Sequence, residues 1–381
     1  MKIKKKDNEN TALPISNNSL KPLIFSFFSG AGFLDLGFEE AGFSIGYVNE
    51  VHGPFVEAYK YSREQLNLPT PKYGIYEGDI SDCLDGKESK RLAKLIKETK
   101  ETGQIVGFIG GPPCPDFSVG GKNKGEHGDN GKLSKTYINL ICKHKPDFFV
   151  FENVKGLYRT VRHREFFEGL KKELNDSGYQ CTERLINSIE YGAPQDRERI
   201  ILVGFLAKKS KLDFNKFDWF SETIYKEKEA FKFPWPQSQA IAKSRTMPKG
   251  IPPELTIKYW FDRNDVENHP NAHHQFKPRA GLAMFEVVDE GDDKKKSYKR
   301  LHRWRYSPTA AYGNNEVHIH PWLPRRISVA EALAIQSLPK EFVLPPTMSL
   351  TNMFKTIGNG VPYLAAIGVA QTIKNFLAAD H

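Results

Sequence analysis

The apolar run Ile105-Val106-Gly107-Phe108-Ile109 ends on Gly110-Gly111-Pro112-Pro113-Cys114-Pro115-Asp116-Phe117-Ser118. A short, unbroken apolar run closed by turn residues predicts a strand buried on both faces, as in a parallel sheet. The glycines break the strand; the prolines fix φ and remove backbone donors, so the chain leaves the sheet in a stiff turn. Parallel strands need helical crossovers, and open α/β sheets take their ligands at the carboxyl ends of their strands. Cys114 stands at such an end. Two readings of it are open: a thiolate of lowered pKa is a strong nucleophile, while a free cysteine is also one of the most buried core residues.

The preceding residues follow the same grammar. Residues 1–20 are polar, rich in Lys and Asn, and predict a disordered arm. A strand over 23–28 leads into Ser29-Gly30-Ala31-Gly32, then a helix over 33–41 stopped by Gly42, then a strand over 44–49 closed by Glu50. With its next glycine at Gly37, the turn departs from the G-x-G-x-x-G dinucleotide spacing. Gly30 and Gly32 still let a ligand approach the backbone, and Glu50 falls about where an acid meets ribose hydroxyls in a nucleotide-binding unit. Adenosine binding and an ordinary βα turn both fit this stretch. Gly78-Asp79-Ile80 closes a third short strand, with Asp79 in reach of a base edge.

A lysine-rich helix is expected over 87–102. Residues 119–132 hold five glycines and predict either a mobile loop or a passive linker. A helix over 133–144 and a strand over 147–151 follow, so Glu152-Asn153 puts a carboxylate at another strand end. A helix over 164–176 and a strand lead to Gln195-Asp196-Arg197-Glu198-Arg199 and the apolar strand 200–206. Arg197 and Arg199 alternate, so they face one way on extended chain.

Beyond 207 the alternation stops. Residues 208–322 are rich in Pro, aromatics and Lys/Arg. Lys299, Arg300, Arg303 and Arg305 are interleaved with Tyr298, His302, Trp304 and Tyr306, a pattern that suits phosphate contact and base stacking, or a solvated face. His302, His318 and His320 lack acidic or Cys neighbours, so no metal site is expected. Ser328 with Glu331 reads as a capping box opening a helix over 328–337. The segment 355–362 turns into a small-residue apolar helix expected to pack on the first domain. The domains are thus read as 21–206 with 351–381, and a smaller, irregular 207–350. The net charge of +9 is compatible with a polyanionic partner. Four widely spaced cysteines without a C-x-x-C argue for a reducing cytoplasm, and no run of about 18 apolar residues suggests a membrane span. A basic start with no apolar stretch after it argues against a secretory signal.

Taken in order, Phe28 to Gly32, Asn49-Glu50, Gly78-Asp79-Ile80, the GGPPC turn with Phe117-Ser118, Glu152-Asn153-Val154, Gln195-x-Arg197-x-Arg199, the PRRISVAEALAIQSLP helix and Gly358-Asn359-x-Val361-Pro362 resemble the DNA cytosine-5 methyltransferase family. The resemblance covers about 22–206 and 307–375, and 208–306 sits where the family keeps its variable target recognition domain. It implies an α/β, Rossmann-like methyltransferase domain, S-adenosylmethionine as methyl donor, and duplex DNA as substrate. It implies a cytosine flipped out of the helix, Cys114 as nucleophile, Glu152 and Arg199 on the base, and Arg197 on a phosphate or the loop. Phe28 would stack on adenine, with Gly30, Gly32, Glu50, Asp79, Ile80, Pro113 and Asn359 completing the cofactor site. Ser118, Asn153, Gln195, Lys299, Arg300, Arg303 and Arg305 are expected on the DNA side. A monomer paired with a restriction endonuclease is the expected setting. Three departures stand out: Pro115-Asp116 in place of a common Gln, Phe33 where glycine is frequent, and Gly360 where Ala or Ser is usual. An RNA cytosine-5 methyltransferase, an inactive DNA-binding regulator and a nicotinamide oxidoreductase remain as alternatives.

Overall fold

Seven strands form one sheet in the order β3-β2-β1-β4-β5-β7-β6: β1 Leu23–Phe27, β2 Ser44–Glu50, β3 Ile75–Glu77, β4 Val106–Gly110, β5 Phe148–Val154, β6 Tyr179–Asn187 and β7 Glu198–Leu206. β3, β2, β1, β4 and β5 run parallel, and β7 lies antiparallel to both β5 and β6. This computed structural model describes residues 20–113, 129–207, 213–226, 228–241, 246–278, 282–294, 298–310, 312 and 317–379. Cys114, Ser118, all of the expected arm but Leu20, and loop residues 119–128 lie outside them.

The helices are α1 Phe33–Glu40, α2 Gly53–Gln65, α3 Ser81–Leu84, α4 Lys87–Glu101, α5 Asp129–His144, α6 Val161–Asp176, α7 Ile257–Arg263, α8 Leu282–Val287, α9 Val329–Ile335, α10 Leu350–Asn359 and α11 Tyr363–Ala378. The fold is the expected Rossmann-like α/β arrangement. Strands β1, β4 and β5 are buried along nearly their whole length, as unbroken apolar runs in a doubly covered sheet should be. One apolar layer sets α4, α5 and α6 against one face; the other sets α1 and α11 against the opposite face.

Several boundaries differ from the sequence reading. β5 continues through Glu152 and Asn153, because its antiparallel pairing with β7 extends to Val154 and Arg199. α5 begins at Asp129, so the last residues of the glycine-rich stretch are helical. Lys355 to Asn359 form the end of α10, not a turn, and the chain turns at Gly360. α2 was not foreseen; it carries a proline in its first turn, where the missing N–H costs nothing.

Between β7 and α9 the described chain is mostly irregular, but its core is not separate. Ile257, Trp260, Leu301, Tyr312 and Val317 join one apolar cluster with Phe33 and Leu36 of α1, Phe55 of α2, and residues of α9 and α10. His302 and His318 are sunk in this region, and burial pushes them to about 4 and about 3, so both are neutral packing residues. The capping box is present: Ser328 Oγ accepts from the Glu331 N–H, and Glu331 accepts from the Ser328 N–H.

Candidate active site

The sheet register lines up the candidate residues. Phe27 pairs with Asn49 on one side and Gly110 on the other, and Gly110 pairs with Phe151. One residue further along each strand come Phe28, Glu50, Gly111 and Glu152, four positions in one row at the carboxyl edge. The strand order reverses between β1 and β4, the switch point where open α/β sheets form their ligand crevice.

On the β1 side the chain turns tightly. Phe28, Gly30 and Gly32 have φ of 54°, 56° and 86°, and only glycine takes such values without strain. For Phe28 the left-handed conformation costs roughly 1–2 kcal/mol, which the surrounding turn must offset. The Glu50 carboxylate ties this turn to β2. Its Oε2 accepts from the Gly30 N–H at 2.9 Å, and its Oε1 accepts from the His52 N–H at 2.9 Å. Lone pairs remain on both oxygens. Asp79 is exposed; bonds from Ser81 hold its carboxyl below the usual range. Ser29 Oγ is buried with no partner. Asn359 is exposed at the end of α10, and Pro113 is exposed where the described part of the turn after β4 ends. Ile80, expected on the cofactor, packs its side chain into the sheet core.

Sequence reading missed the support beneath this turn. Asp35 of α1 is fully buried and accepts from Ser26 Oγ at 2.6 Å and from the Tyr59 hydroxyl at 2.9 Å. Burial raises its pKa to about 6, against the pull of those two bonds. An acid on the buried face of α1 was the available signal.

On the β5 side Glu152 is buried, and its Oε1 lies 2.8 Å from Arg199 Nε on β7. Burial raises its pKa; the guanidiniums of Arg199 and Arg197 take back part of that rise. Gly111 lies flush against it: a Cβ there would fall 2.6 Å from Glu152 Oε2. The glycine that follows β4 therefore lets the carboxyl stand beside the chain leading to Cys114. Asn153 keeps a buried amide Nδ2 without a partner. A carboxyl raised in pKa beside a fixed guanidinium suits proton donation to a ring nitrogen and a contact to a carbonyl oxygen.

The model of the family described as C-5 cytosine-specific DNA methylase matches residues 23–375. The chain belongs to that family. It is a DNA cytosine-5 methyltransferase. It is 64% identical over 368 residues to the Type II methyltransferase M.NmeDI of Neisseria meningitidis serogroup C, covering 97% of this chain and 87% of the relative. It is 29% identical to the Type II methyltransferase M.FnuDI of Fusobacterium nucleatum, covering 93% and 94% of the two chains. Among solved structures, a DNA modification methyltransferase encoded within an E. coli prophage aligns with a TM-score of 0.66 at 22% identity, over 94% of this chain and 100% of the other, which shows a shared fold.

Within this methylase the remaining site residues fall into place differently from the sequence expectation. Arg197 and Arg199 part company. Arg197 is fully buried, and its Nη1 and Nη2 donate to the carbonyls of Ala310 and Gly358 at 2.8 and 2.6 Å, which takes it away from a phosphate. Gln195, expected on the DNA side, is buried between the Ile335 carbonyl and the Ala310 N–H. The basic run is also largely spoken for. Arg300 is buried and donates to the carbonyls of Phe285, Val288, His320 and Leu323. Arg303 forms a two-pronged pair with the buried Glu290 at 2.8 and 2.9 Å, and Arg305 pairs with Asp293 at 2.8 Å. Within the chain these three arginines tie the irregular region together; Lys299 is half-buried.

Two family departures prove to touch. A Cβ on Gly360 would lie 2.2 Å from the Phe33 ring, which is buried edge-on against Phe342 at 5.1 Å. Gly360 has φ of −63°, open to any residue, so space alone demands glycine there. Gly360→Ala is expected to cost about 1–3 kcal/mol, the usual range for overpacking. In a Phe33→Ala background the same change should cost much less, because contacting sites couple. Thermal melts of the four proteins check this; equal costs in both backgrounds would exclude the clash.

Proposed function

We propose that this methylase transfers a methyl group from S-adenosylmethionine to C5 of a cytosine flipped out of duplex DNA, through a bond between Cys114 and C6. The buried Glu152–Arg199 pair beside Gly111 carries this reading, since it puts a proton donor and a guanidinium against the strand end that leads to Cys114. Flipping is required because C5 and C6 are out of reach inside the duplex.

The β1 side fits the cofactor. The unpartnered Ser29 Oγ, the spare lone pairs of Glu50 and the open backbone at Gly30 offer polar groups to a nucleoside and an amino acid. Glu50 would take the ribose hydroxyls, Phe28 the adenine face, Asp79 the adenine amino group, and Gly32 and Asn359 the methionine side. When bound, S-adenosylmethionine supplies a methyl group on positively charged sulfur. The Cys114 thiolate adds to C6, and the ring's electron pair moves toward C5 while Glu152 gives a proton to N3. Arg199 holds the cytosine O2. After methylation of C5, a base removes the C5 proton, the C6–sulfur bond breaks, N3 gives its proton back to Glu152 and the thiolate returns. Ser118 and Asn153 are proposed to complete the base pocket.

Glu50→Ala is expected to weaken S-adenosylmethionine binding about ten- to a hundredfold, since a charge-assisted hydrogen bond is worth roughly 1.5–3 kcal/mol. Turnover at saturating cofactor should change far less. Calorimetry with S-adenosylhomocysteine measures it, and an unchanged Kd would remove Glu50 from the site.

Residues 208–322 are proposed to carry sequence choice, and 21–206 with 351–381 the chemistry. The Type II names of the relatives support a role in protecting host DNA beside a restriction endonuclease. We expect the enzyme to act as a monomer in the cytoplasm; no described helix is long and apolar enough to cross a membrane. Bisulfite sequencing of plasmid DNA and tRNA treated with the purified enzyme tests the reading. Methylation of one short DNA motif supports it; exclusive tRNA methylation would replace DNA with RNA as substrate. Exchanging 208–322 for the same span of a relative should move the methylated motif, and an active chimera that keeps the original motif would refute the assignment.

A further inference from the structure

At residues 307–310 the chain comes back from the irregular region onto the sheet domain. The Ser307 N–H donates to the Pro194 carbonyl at 2.8 Å, and the Asp196 N–H donates back to the Ser307 carbonyl at 2.9 Å. Thr309 Oγ1 donates to the Asp196 carbonyl at 2.6 Å. The Ala310 peptide is then gripped on both sides: its N–H by Gln195 Oε1 at 3.3 Å, its carbonyl by Arg197 Nη1 at 2.8 Å. The other arm of the same guanidinium holds the carbonyl of Gly358, next to Asn359. Gln336 Nε2 holds the neighbouring Ile357 carbonyl at 2.7 Å, so this segment is fixed from two sides. Gly358 also lies against the Tyr312 backbone, where a Cβ would meet the amide nitrogen at 3.2 Å.

We infer that Arg197 is a positioning residue that locks the return of the target region at 307–310 to the cofactor-side segment 357–360, so that DNA and cofactor tighten each other's binding. This rests on the proposed assignment of those segments to the two ligands. Two carbonyls, 113 and 161 residues away in sequence, share one rigid planar fork. A movement of either segment must break a buried bond or carry the other with it. A lysine places one charge there without the fork and cannot span both carbonyls. By linkage, whatever factor DNA adds to cofactor affinity, cofactor adds to DNA affinity.

The test uses S-adenosylhomocysteine and a duplex bearing the motif found by bisulfite sequencing, at one fixed salt concentration. In the wild-type enzyme each ligand should tighten the other by roughly 5–150-fold. In Arg197→Lys that factor should fall to about twofold or less, while each ligand alone binds within a few-fold of wild type; a merely structural residue would weaken single-ligand binding and leave the ratio. Retention of the full factor overturns the inference. A second measurement needs no variant. In wild-type enzyme, S-adenosylhomocysteine alone should slow hydrogen exchange of the Ser307 and Ala310 amides. Protection that stops at 357–360 overturns the inference whatever the variant does. Wild-type enzyme that binds neither ligand would instead overturn the assignment of function.

Discussion

Cys114→Ser is expected to lose at least about 10⁴-fold in turnover, the scale on which enzymes lose activity with their covalent nucleophile. A thiol is partly ionised near neutral pH, whereas a serine hydroxyl is not. The effect has a direct signature. Release of the product requires the C5 proton to leave, and fluorine at C5 cannot leave as a cation. A duplex with 5-fluorocytosine at the target should therefore stay attached to the wild-type enzyme through denaturing electrophoresis, and only when S-adenosylmethionine is supplied. Cys114→Ser should give no such band. Cys83, Cys142 and Cys181 should be dispensable. Cys83 is buried against Tyr47, and burial raises both its pKa, to about 11, and that of Cys181, to about 12. Trapping by the serine variant, or full trapping without the methyl donor, would overturn the covalent mechanism.

Glu152→Gln should lower turnover by about 10²- to 10⁴-fold, the usual worth of a positioned proton donor. The amide fills the same space beside Gly111 and still offers an N–H, but it cannot transfer a proton. The sign of the pH effect follows from burial. The folded pKa of Glu152 is raised, so the protonated form persists to higher pH than for an exposed glutamate and is lost as pH rises through that raised value. Wild-type turnover at saturating substrates should therefore have a falling alkaline limb that Glu152→Gln lacks. The same limb in both proteins would assign it to another group.

Much of the sheet domain was legible because its signals are local. β4 and its glycine–proline exit, the turn after β1 and the capping box of α9 each depend on a few neighbouring residues. So did the row of reactive groups, since parallel strands put their carboxyl ends on one edge. The errors arose where a side chain's partner lies far away in sequence. Alternation predicted one facing for Arg197 and Arg199, but Arg197 finds its partners at Ala310 and Gly358, and Arg199 finds Glu152. Interleaved arginines and aromatics read as a nucleic-acid surface or a solvated face, and neither reading foresaw that Glu290, Asp293 and a set of backbone carbonyls bond three of the arginines. The change read at 207 is a loss of strand–helix rhythm, and residues on both sides of it share one apolar cluster with α9.

The fit between Phe33 and Gly360 also bears on how such a chain could have arisen. Suppose an ancestor carried glycine at the first position and alanine at the second. Acquiring the phenylalanine first drives its ring into a methyl group, at the 2.2 Å separation read from Gly360. Losing the methyl group first leaves only a small gap and a more flexible turn, at a cost nearer 1 kcal/mol. The two changes are thus passable in one order and obstructed in the other. Once the ring was seated, reversion at Gly360 was closed off as well. A pair of substitutions that look independent along the sequence would then act as a one-way step, and relatives with alanine at the second position are expected to keep a small residue at the first.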